Sequence, residues 1–321
     1  MAFGNILITS ASAKAILVQN FRAVMEEFGG KVFTADAEPA CAAGFFADQA
    51  FQVPKLRDAG ALDHMLALVR DNGVKLIVPT RDGELPFFAA NKVYFEAEGA
   101  RVLVPSESQL DTVQDKAKFA DAIEAAGIPA VPRIHPPFAD DAYPIFVRPI
   151  TGAGGIGARA IKSAEDFEAI EDRDSLLFHP FIHSREYTID LLMAVDEPKA
   201  LQAIARERKV VVAGESKVSK VVDRPRLVEL TLKLGETLGL VGHNTVQAFD
   251  DDVNGTHFIE VNPRFGGASN LSIQAGLDSP RRILQMLTGQ TEAAYAPRPV
   301  RIGATMYRYQ QDVIVDEAPD H

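Results

Sequence analysis

The sequence predicts an α/β protein whose C-terminal part is α+β. Three observations carry this reading. Short apolar strands alternate with amphipathic helices over residues 5–104, the pattern of a parallel sheet with helices on its faces. A proline-rich connector, Pro129 to Pro144, interrupts the alternation. Beyond it strands dominate, above all Thr245–Phe249 and Thr256–Val261, which flank Asn254-Gly255 as the arms of a hairpin.

Taken in order, Asn5–Thr9 is an apolar strand. Ser12 is placed to cap a helix whose apolar positions, Ile16, Leu17, Phe21, Val24, Met25 and Phe28, follow helical spacing, and Gly29-Gly30 ends it. Lys31–Ala35 reads as a second strand with Asp36 as a turn former at its end. Leu62–Val69 reads as a helix, and Val74–Val78 and Arg101–Val104 as strands. The wiring is Rossmann-like. The first turn, Thr9-Ser10-Ala11-Ser12, lacks the glycines that let a backbone approach a pyrophosphate, so NAD is not expected. Open α/β sheets take ligands at the carboxyl ends of their strands. The loop that leaves Val78-Pro79 there makes Thr80, Arg81, Asp82 and Glu84 candidate substrate contacts.

Asp115 caps a helix, Lys116–Ala126, that Gly127 and Pro129 terminate. Ile145–Arg148 is a strand cut by Pro149. In the loop that follows, Gly152, Gly154, Gly155 and Gly157 free the backbone to take positive φ and to aim N–H groups at an anion. Ala158–Lys162 reads as a strand, so the loop opens no helix, and Ala158 stands where a Walker loop needs lysine. A strand–glycine loop–strand unit suits a flap over triphosphate. Ser163 caps a short helix, and Ser175–Phe178 is a strand. From His179 the chain reads as a linker into strand Tyr187–Val195, with backbone groups offered to an adenine edge and Glu186 to ribose hydroxyls. Leu201–Arg206 and Lys209–Val212 read as two strands and Gly214–Lys220 as a polar loop. Leu227, Leu230, Leu234 and Leu238 mark the core face of a helix. Residues 291–321 carry no motif, and the acidic tail from Asp312 carries no ordering signal.

The hairpin is where chemistry gathers. With a loop at Asp252–Gly255, Gln247 lies opposite Glu260; with a two-residue loop it lies opposite Asn262. Side chains alternate along a strand, so either register puts Gln247, Glu260 and Asn262 on one face, and a bulge is expected to break the convergence. One carboxylate and two amide oxygens are hard ligands that suit Mg²⁺. Pro263 stops the strand and Arg264 follows. The alternative is a Glu260–Arg264 surface pair at a strand end.

The 321 residues suffice for two or three domains. A net charge of −11 argues against a protein that grips nucleic acid through its overall charge. Cys41 is the only cysteine, which leaves no internal disulfide and no thiolate metal site, and fits a reducing cytoplasm. No apolar run approaches the roughly 18 residues of a membrane span, and the N-terminus has no signal-peptide pattern.

Together these segments resemble the ATP-grasp superfamily, most closely one synthetase half of the carbamoyl-phosphate synthetase large subunit and free-standing ligases built like it. Val78–Leu85, Asp115-Lys116, Phe146–Pro149, the glycine loop, Arg185–Asp190, Val246-Gln247 and Ile259–Arg264 carry the resemblance, in that order. It implies a pre-ATP-grasp domain (1–112), a lid with its leading helix (113–186), a body with the metal site (187–300) and a tail (301–321). On that model Lys116 and Arg148 contact phosphates beneath Gly152, Gly154, Gly155 and Gly157. His179, Phe181 and Ile182 touch adenine, and Glu186 holds ribose. Gln247, Glu260 and Asn262 hold Mg²⁺, with Mn²⁺ as a substitute. Arg264 and Arg148 are the catalytic cations, and Gly267 and Ser269 join the substrate contacts. Arg148 stands where most ATP-grasp ligases have lysine, and Gln247 where many place a carboxylate. The implied activity is an ATP-dependent carboxylate–amine ligase, working through an acyl phosphate and releasing ADP and phosphate. Its partners are small carboxylates and amines, with no nucleic acid and no membrane; homodimers are common in the superfamily. The alternatives are phosphorylation of bicarbonate or carbamate, and an ATP-binding regulator without turnover.

Overall fold

The computed structural model describes residues 2–38, 41–152, 154–212 and 214–315. The expected alternation builds a parallel five-stranded sheet. Its strands are β1 (Asn5–Thr9), β2 (Val32–Asp36), β3 (Gln49–Gln52), β4 (Val74–Pro79) and β5 (Arg101–Val102), in the order β3-β2-β1-β4-β5. β3 is short and mostly exposed, so its sequence has no apolar run to announce it. The first helix, Ala15–Phe28, starts later than expected and without a side-chain cap. Ser12 does not cap it: its backbone N–H donates to the Asp36 carboxylate, whose other oxygen accepts from Glu38. Asp36 is thus the turn former anticipated.

A small antiparallel sheet follows: β6 (Ile145–Pro149), β7 (Arg159–Ile161) and β8 (Leu176–Pro180), in the order β7-β6-β8. Its core of Ile145, Val147, Ile161, Phe167, Ile170 and Phe178 is separate from the rest. The large sheet contains β9 (Glu186–Met193), β10 (Ala200–Val212), β11 (Glu215–Val221), β12 (His243–Asp251), β13 (Gly255–Asn262) and β14 (Thr305–Tyr307), in the order β13-β12-β9-β10-β11-β14. Two expectations are corrected here. The two runs 201–206 and 209–212 are one strand, β10, with register shifts at Arg208–Val211. The polar loop expected at Gly214–Lys220 is strand β11, whose Ser216, Ser219 and Val221 face inward while the lysines face out. The tail from Asp312 is described only to residue 315; 316–321 lie outside the described residues.

Two apolar layers cross from the parallel sheet into the large one. One joins Leu7, Phe33 and Ile77 to Tyr187, Ile189, Val246 and Phe258 through the helices Glu107–Gln114 and Lys116–Ala125. The other joins Ile6, Ile8 and Val78 to Phe265, Leu271 and Ile283. Shared cores hold these two sheets in one orientation, whereas the small sheet packs around its own apolar set. No helix among the described residues is long and apolar enough to cross a membrane.

Candidate active site

The hairpin converges on one face by a route the sequence did not suggest. Its turn is Asp252–Asn254, closed by the Asp251 carboxylate, which accepts from the N–H of Val253 (2.8 Å) and Asn254 (2.5 Å). A three-residue turn alone sets Gln247 opposite Ile259 and turns Glu260 to the other face. The ladder instead shifts register between Gln247 and Ala248, and the pairs on the far side are Gln247 with Glu260 and Thr245 with Asn262. The extra residue is Ile259. Phe258 and Val261, three apart, both point into the core, with Ile259 and Glu260 between them half-exposed. A bulge was expected to break the convergence; here it creates it, because one inserted residue inverts the face of everything beyond it.

On that face Asn262 Nδ2 donates to Glu260 Oε1 at 3.1 Å, and Asn262 Oδ1 accepts from Arg264 at 3.3 Å. Arg264 also pairs with Asp82 at 2.5 Å, which ties the ribbon to the loop after β4. Gln247 Nε2 donates to Glu186 at 2.6 Å, and its Oε1 has no bond among the described residues. No group of three or more His, Cys, Asp or Glu capable of holding a metal occurs among the described residues. One carboxylate with two amide oxygens still fits Mg²⁺, which binds through one or two carboxylates plus phosphate oxygens and waters.

Arg148 bridges the small sheet to the ribbon. It is buried, its Nε donates to His179 Nε2 at 3.0 Å, and its Nη1 donates at 2.9 Å to the carbonyl of the bulged Ile259. Burial pulls its pKa down to about 10, against the opposing pull of Glu260. Lys116, in the first turn of a helix capped by Asp115, donates to the Gly152 carbonyl at 2.8 Å. Burial lowers its pKa too, and Glu260 is the largest charge opposing that. Lys116, Arg148 and Glu260 thus sense one another across the cleft. Above them Gly152, Gly154, Gly155 and Gly157 all hold φ between 71° and 115°, and a Cβ at 152, 154 or 155 would meet nothing within 4 Å. These three are glycine for backbone freedom, with N–H groups free to turn toward an anion. Ala153 lies outside the described residues.

Several expected contacts are placed elsewhere. His179 and Pro180 lie in β8 and not in a linker. His179 is buried; its Nδ1 meets the Pro132 carbonyl at 2.8 Å and its Nε2 accepts from Arg148, so the ring has no atom left for a base. Phe181 and Ile182, just past β8, stay exposed and half-exposed. Thr80 and Glu84 are buried and consumed between their own loop and the end of β1. The Glu84 carboxylate accepts from the N–H of Thr80 (2.6 Å) and Arg81 (3.0 Å) and from the Ser10 hydroxyl (2.9 Å). The Thr80 hydroxyl donates to Thr9 O at 2.9 Å. Ser269 is buried against Asp190 at 2.9 Å, and only its neighbour Gly267 is exposed. Of the expected substrate residues, Arg81 and Gly267 are exposed, and Asp82 is half-exposed beside Arg264. Arg81 also lines a cavity of about 420 Å³ at the carboxyl edge of the parallel sheet, with Ser10, Lys55 and Arg57.

Four residues escaped the sequence reading. Arg208 pairs with Glu186 and donates to Gly214 O at 2.7 Å. Glu207 is opposite Tyr187 in the ladder, so the next step sets Arg208 against Glu186. A continuous β10 would have revealed it. Asp190 and Arg206 form a buried pair at 2.8 Å, neighbours across β9 and β10. Lys14 reaches the Phe265 carbonyl at 3.1 Å, across 251 positions of sequence that no local pattern spans.

Residues 6–103 match the family model of a PylC-like N-terminal domain, and residues 172–310 that of an ATP-grasp in the biosynthetic pathway with Ter operon. The chain is 26% identical over 277 residues to the carbamoyl phosphate synthase large chain of Rubrobacter xylanophilus, covering 75% of this chain and 25% of that one. Rhizobium etli pyruvate carboxylase superposes with a TM-score of 0.74 at 21% identity, over 95% of this chain and 30% of that one. The L-amino acid ligase of Bacillus licheniformis gives 0.68 at 17% identity, over 92% and 78%. The chain spans about a fifth of the length of the curated pyruvate carboxylases it matches first, 19% of the one from Komagataella pastoris.

Proposed function

We propose that the chain, whose residues 6–103 match a PylC-like N-terminal domain and 172–310 an ATP-grasp domain, is a carboxylate–amine ligase. The observation that carries this reading is the juxtaposition of Glu260, Asn262 and Arg264 on one face with Lys116 and Arg148 across a glycine-roofed cleft. We assign 1–112 to the pre-ATP-grasp domain, 113–186 to the lid region, 187–300 to the body and 301–321 to the tail.

A carboxylate is a poor electrophile because its leaving group would be oxide. Transfer of the γ-phosphoryl of ATP to the acid makes an acyl phosphate. Attack by an amine then forms the amide and expels phosphate, leaving ADP. Lys116 and Arg148 bind the polyphosphate, and Arg264 faces the charge that develops on the transferred phosphoryl. A bound Mg²⁺, held by Glu260, Asn262 and Gln247, would supply charge neutralisation at the phosphate oxygens. The glycine loop covers the polyphosphate through backbone N–H groups and keeps water from the acyl phosphate. Phe181 and Ile182 flank the base, and Glu186 the ribose once nucleotide competes with Gln247 and Arg208 for its oxygens. The single cysteine suits a cytoplasmic setting.

The resemblance to carbamoyl phosphate synthase and pyruvate carboxylase supports a second reading, in which bicarbonate takes the phosphoryl group. ADP release separates the two. A ligase releases ADP only when an organic acid is supplied together with an amine. A bicarbonate-dependent enzyme does so with bicarbonate alone. ATP binding without either response rejects both.

A further inference from the structure

Three cations from distant parts of the chain meet at the turn after β13. Lys14, from the N-terminal end of the first helix, donates from Nζ to the Phe265 carbonyl at 3.1 Å. Arg308, just past β14, donates to the Gly267 carbonyl. Arg264 enters the same turn from the end of β13, and its Nε is buried with no acceptor. The nearby acids are already engaged. Asp82 pairs with Arg264 at 2.5 Å, and Glu215 with Arg308 at 2.9 Å and Lys217 at 3.2 Å. Glu84 is buried and spends its oxygens on Thr80, Arg81 and Ser10. Lys14 has no carboxylate partner among the described residues. Burial, followed by the charge of Arg264, brings its pKa down to about 8, with Arg308 adding to the effect and Asp82 and Glu84 opposing it.

A cluster of like charges with an orphaned donor is costly unless an anion completes it. We propose that Lys14, Arg308 and the Nε of Arg264 form a subsite for a second anionic group of the acid substrate, which is therefore a small dicarboxylate-type acid. This rests on the ligase reading for the word substrate. The Nη2 of Arg264 faces Asn262 and Asp82, where the reacting carboxylate would meet the phosphoryl group. Lys14 and Arg308 bond the carbonyls of Phe265 and Gly267, further along the turn. Asp82 offsets Arg264 at one end of the turn and Glu215 offsets Arg308 at the other, so the charge left over is that of Lys14 beside the orphaned Nε of Arg264, and it calls for a further anionic group on the ligand. Arg308 already spends its Nη1 on Glu215 and its Nη2 on the Gly267 carbonyl, so it contributes charge, and Lys14 supplies the free point charge. Because Lys14 comes from the N-terminal unit and Arg308 from the far end of the chain, the subsite exists only when the two shared apolar layers are assembled.

The test is equilibrium binding of malonate, succinate and glutarate, against acetate and butyrate, to the full chain loaded with Mg²⁺ and ADP. At least one dicarboxylate should bind at least roughly tenfold tighter than the monocarboxylates. Lys14→Met and Arg308→Met should each weaken it by roughly tenfold to a hundredfold, the loss of one charge-assisted hydrogen bond, with ADP affinity unchanged. Lys14→Arg should restore most of the binding. Equal affinity for mono- and dicarboxylates, or unchanged dicarboxylate affinity in both methionine variants, overturns the proposal. Should dicarboxylates bind through Lys14 while no acid elicits ADP release, the ligase reading falls and the anion subsite stands. Should an acid elicit ADP release with the same KM in Lys14→Met, the subsite falls and the ligase reading stands.

Discussion

Asp190 and Glu260 are carboxylates of one sheet, two strands apart, and the fold treats them in opposite ways. Asp190 is fully buried. It receives Arg206 at 2.8 Å, Ser269 at 2.9 Å and Thr245 at 3.4 Å, with His243 beside it at 3.4 Å. Burial alone would raise its pKa, but the charge of Arg206 and the bonds from His243 and Arg206 outweigh it and hold the carboxyl well below the usual range. Glu260 is half-exposed and, among the described residues, receives only Asn262, at 3.1 Å. One carboxylate is saturated and welds the ribbon to the body. The other leaves Oε2 without a hydrogen bond among the described residues and lies within electrostatic reach of Lys116 and Arg148. A carboxylate's availability, more than its presence on a strand, is what marks a site of chemistry.

That contrast can be broken at either end. Asp190→Ala leaves Arg206 buried without its partner, and should cost about 3–5 kcal/mol in urea unfolding while the folded fraction still binds Mg·ATP. Glu260→Gln should do the reverse. Acid-dependent ADP release should fall by about a hundredfold or more, as when one preorganised charge-stabilising group is lost, with the urea midpoint nearly unchanged. Full activity in that variant would sink the metal assignment.

The contrast extends to pH. Burial, followed by the Arg148 charge, brings the His179 pKa from its ordinary 6.5 down to about 4. Between those values the unfolded chain takes a proton that the folded protein refuses. Stability is therefore fully present above pH 6.5 and declines as the pH falls toward 4, by on the order of 3 kcal/mol in total. His179→Gln keeps an acceptor for Arg148 and a donor for Pro132, so its unfolding free energy should slope less across that window.

The smallest effect belongs to the lid. Gly155→Ala meets no neighbour but must hold φ near 72°, and should cost about 1 kcal/mol of local strain. A severalfold drop in kcat with unchanged global stability would place that strain in lid closure; an unchanged kcat would show that the loop adopts another backbone when it closes.

Much of this was legible in order of residues alone. Apolar periodicity set the parallel sheet and the helices, glycine density marked a loop of positive φ, and the run Glu260-Val261-Asn262-Pro263-Arg264 marked the end of a ribbon strand. These are properties of neighbours a few positions apart. Which polar groups would be spent inside the fold was not legible. His179 and Ser269 look as available in sequence as Glu260, and long-range packing used up their donors and acceptors, while Thr80 and Glu84 were spent partly on each other and partly on the end of β1. The register of the ribbon, inverted by the single extra residue Ile259, and the meeting of Lys14, Arg264 and Arg308 are likewise tertiary facts. Local sequence encodes backbone preference and the face of each element. The pairing of distant charges depends on how those elements dock, and no window along the chain contains it.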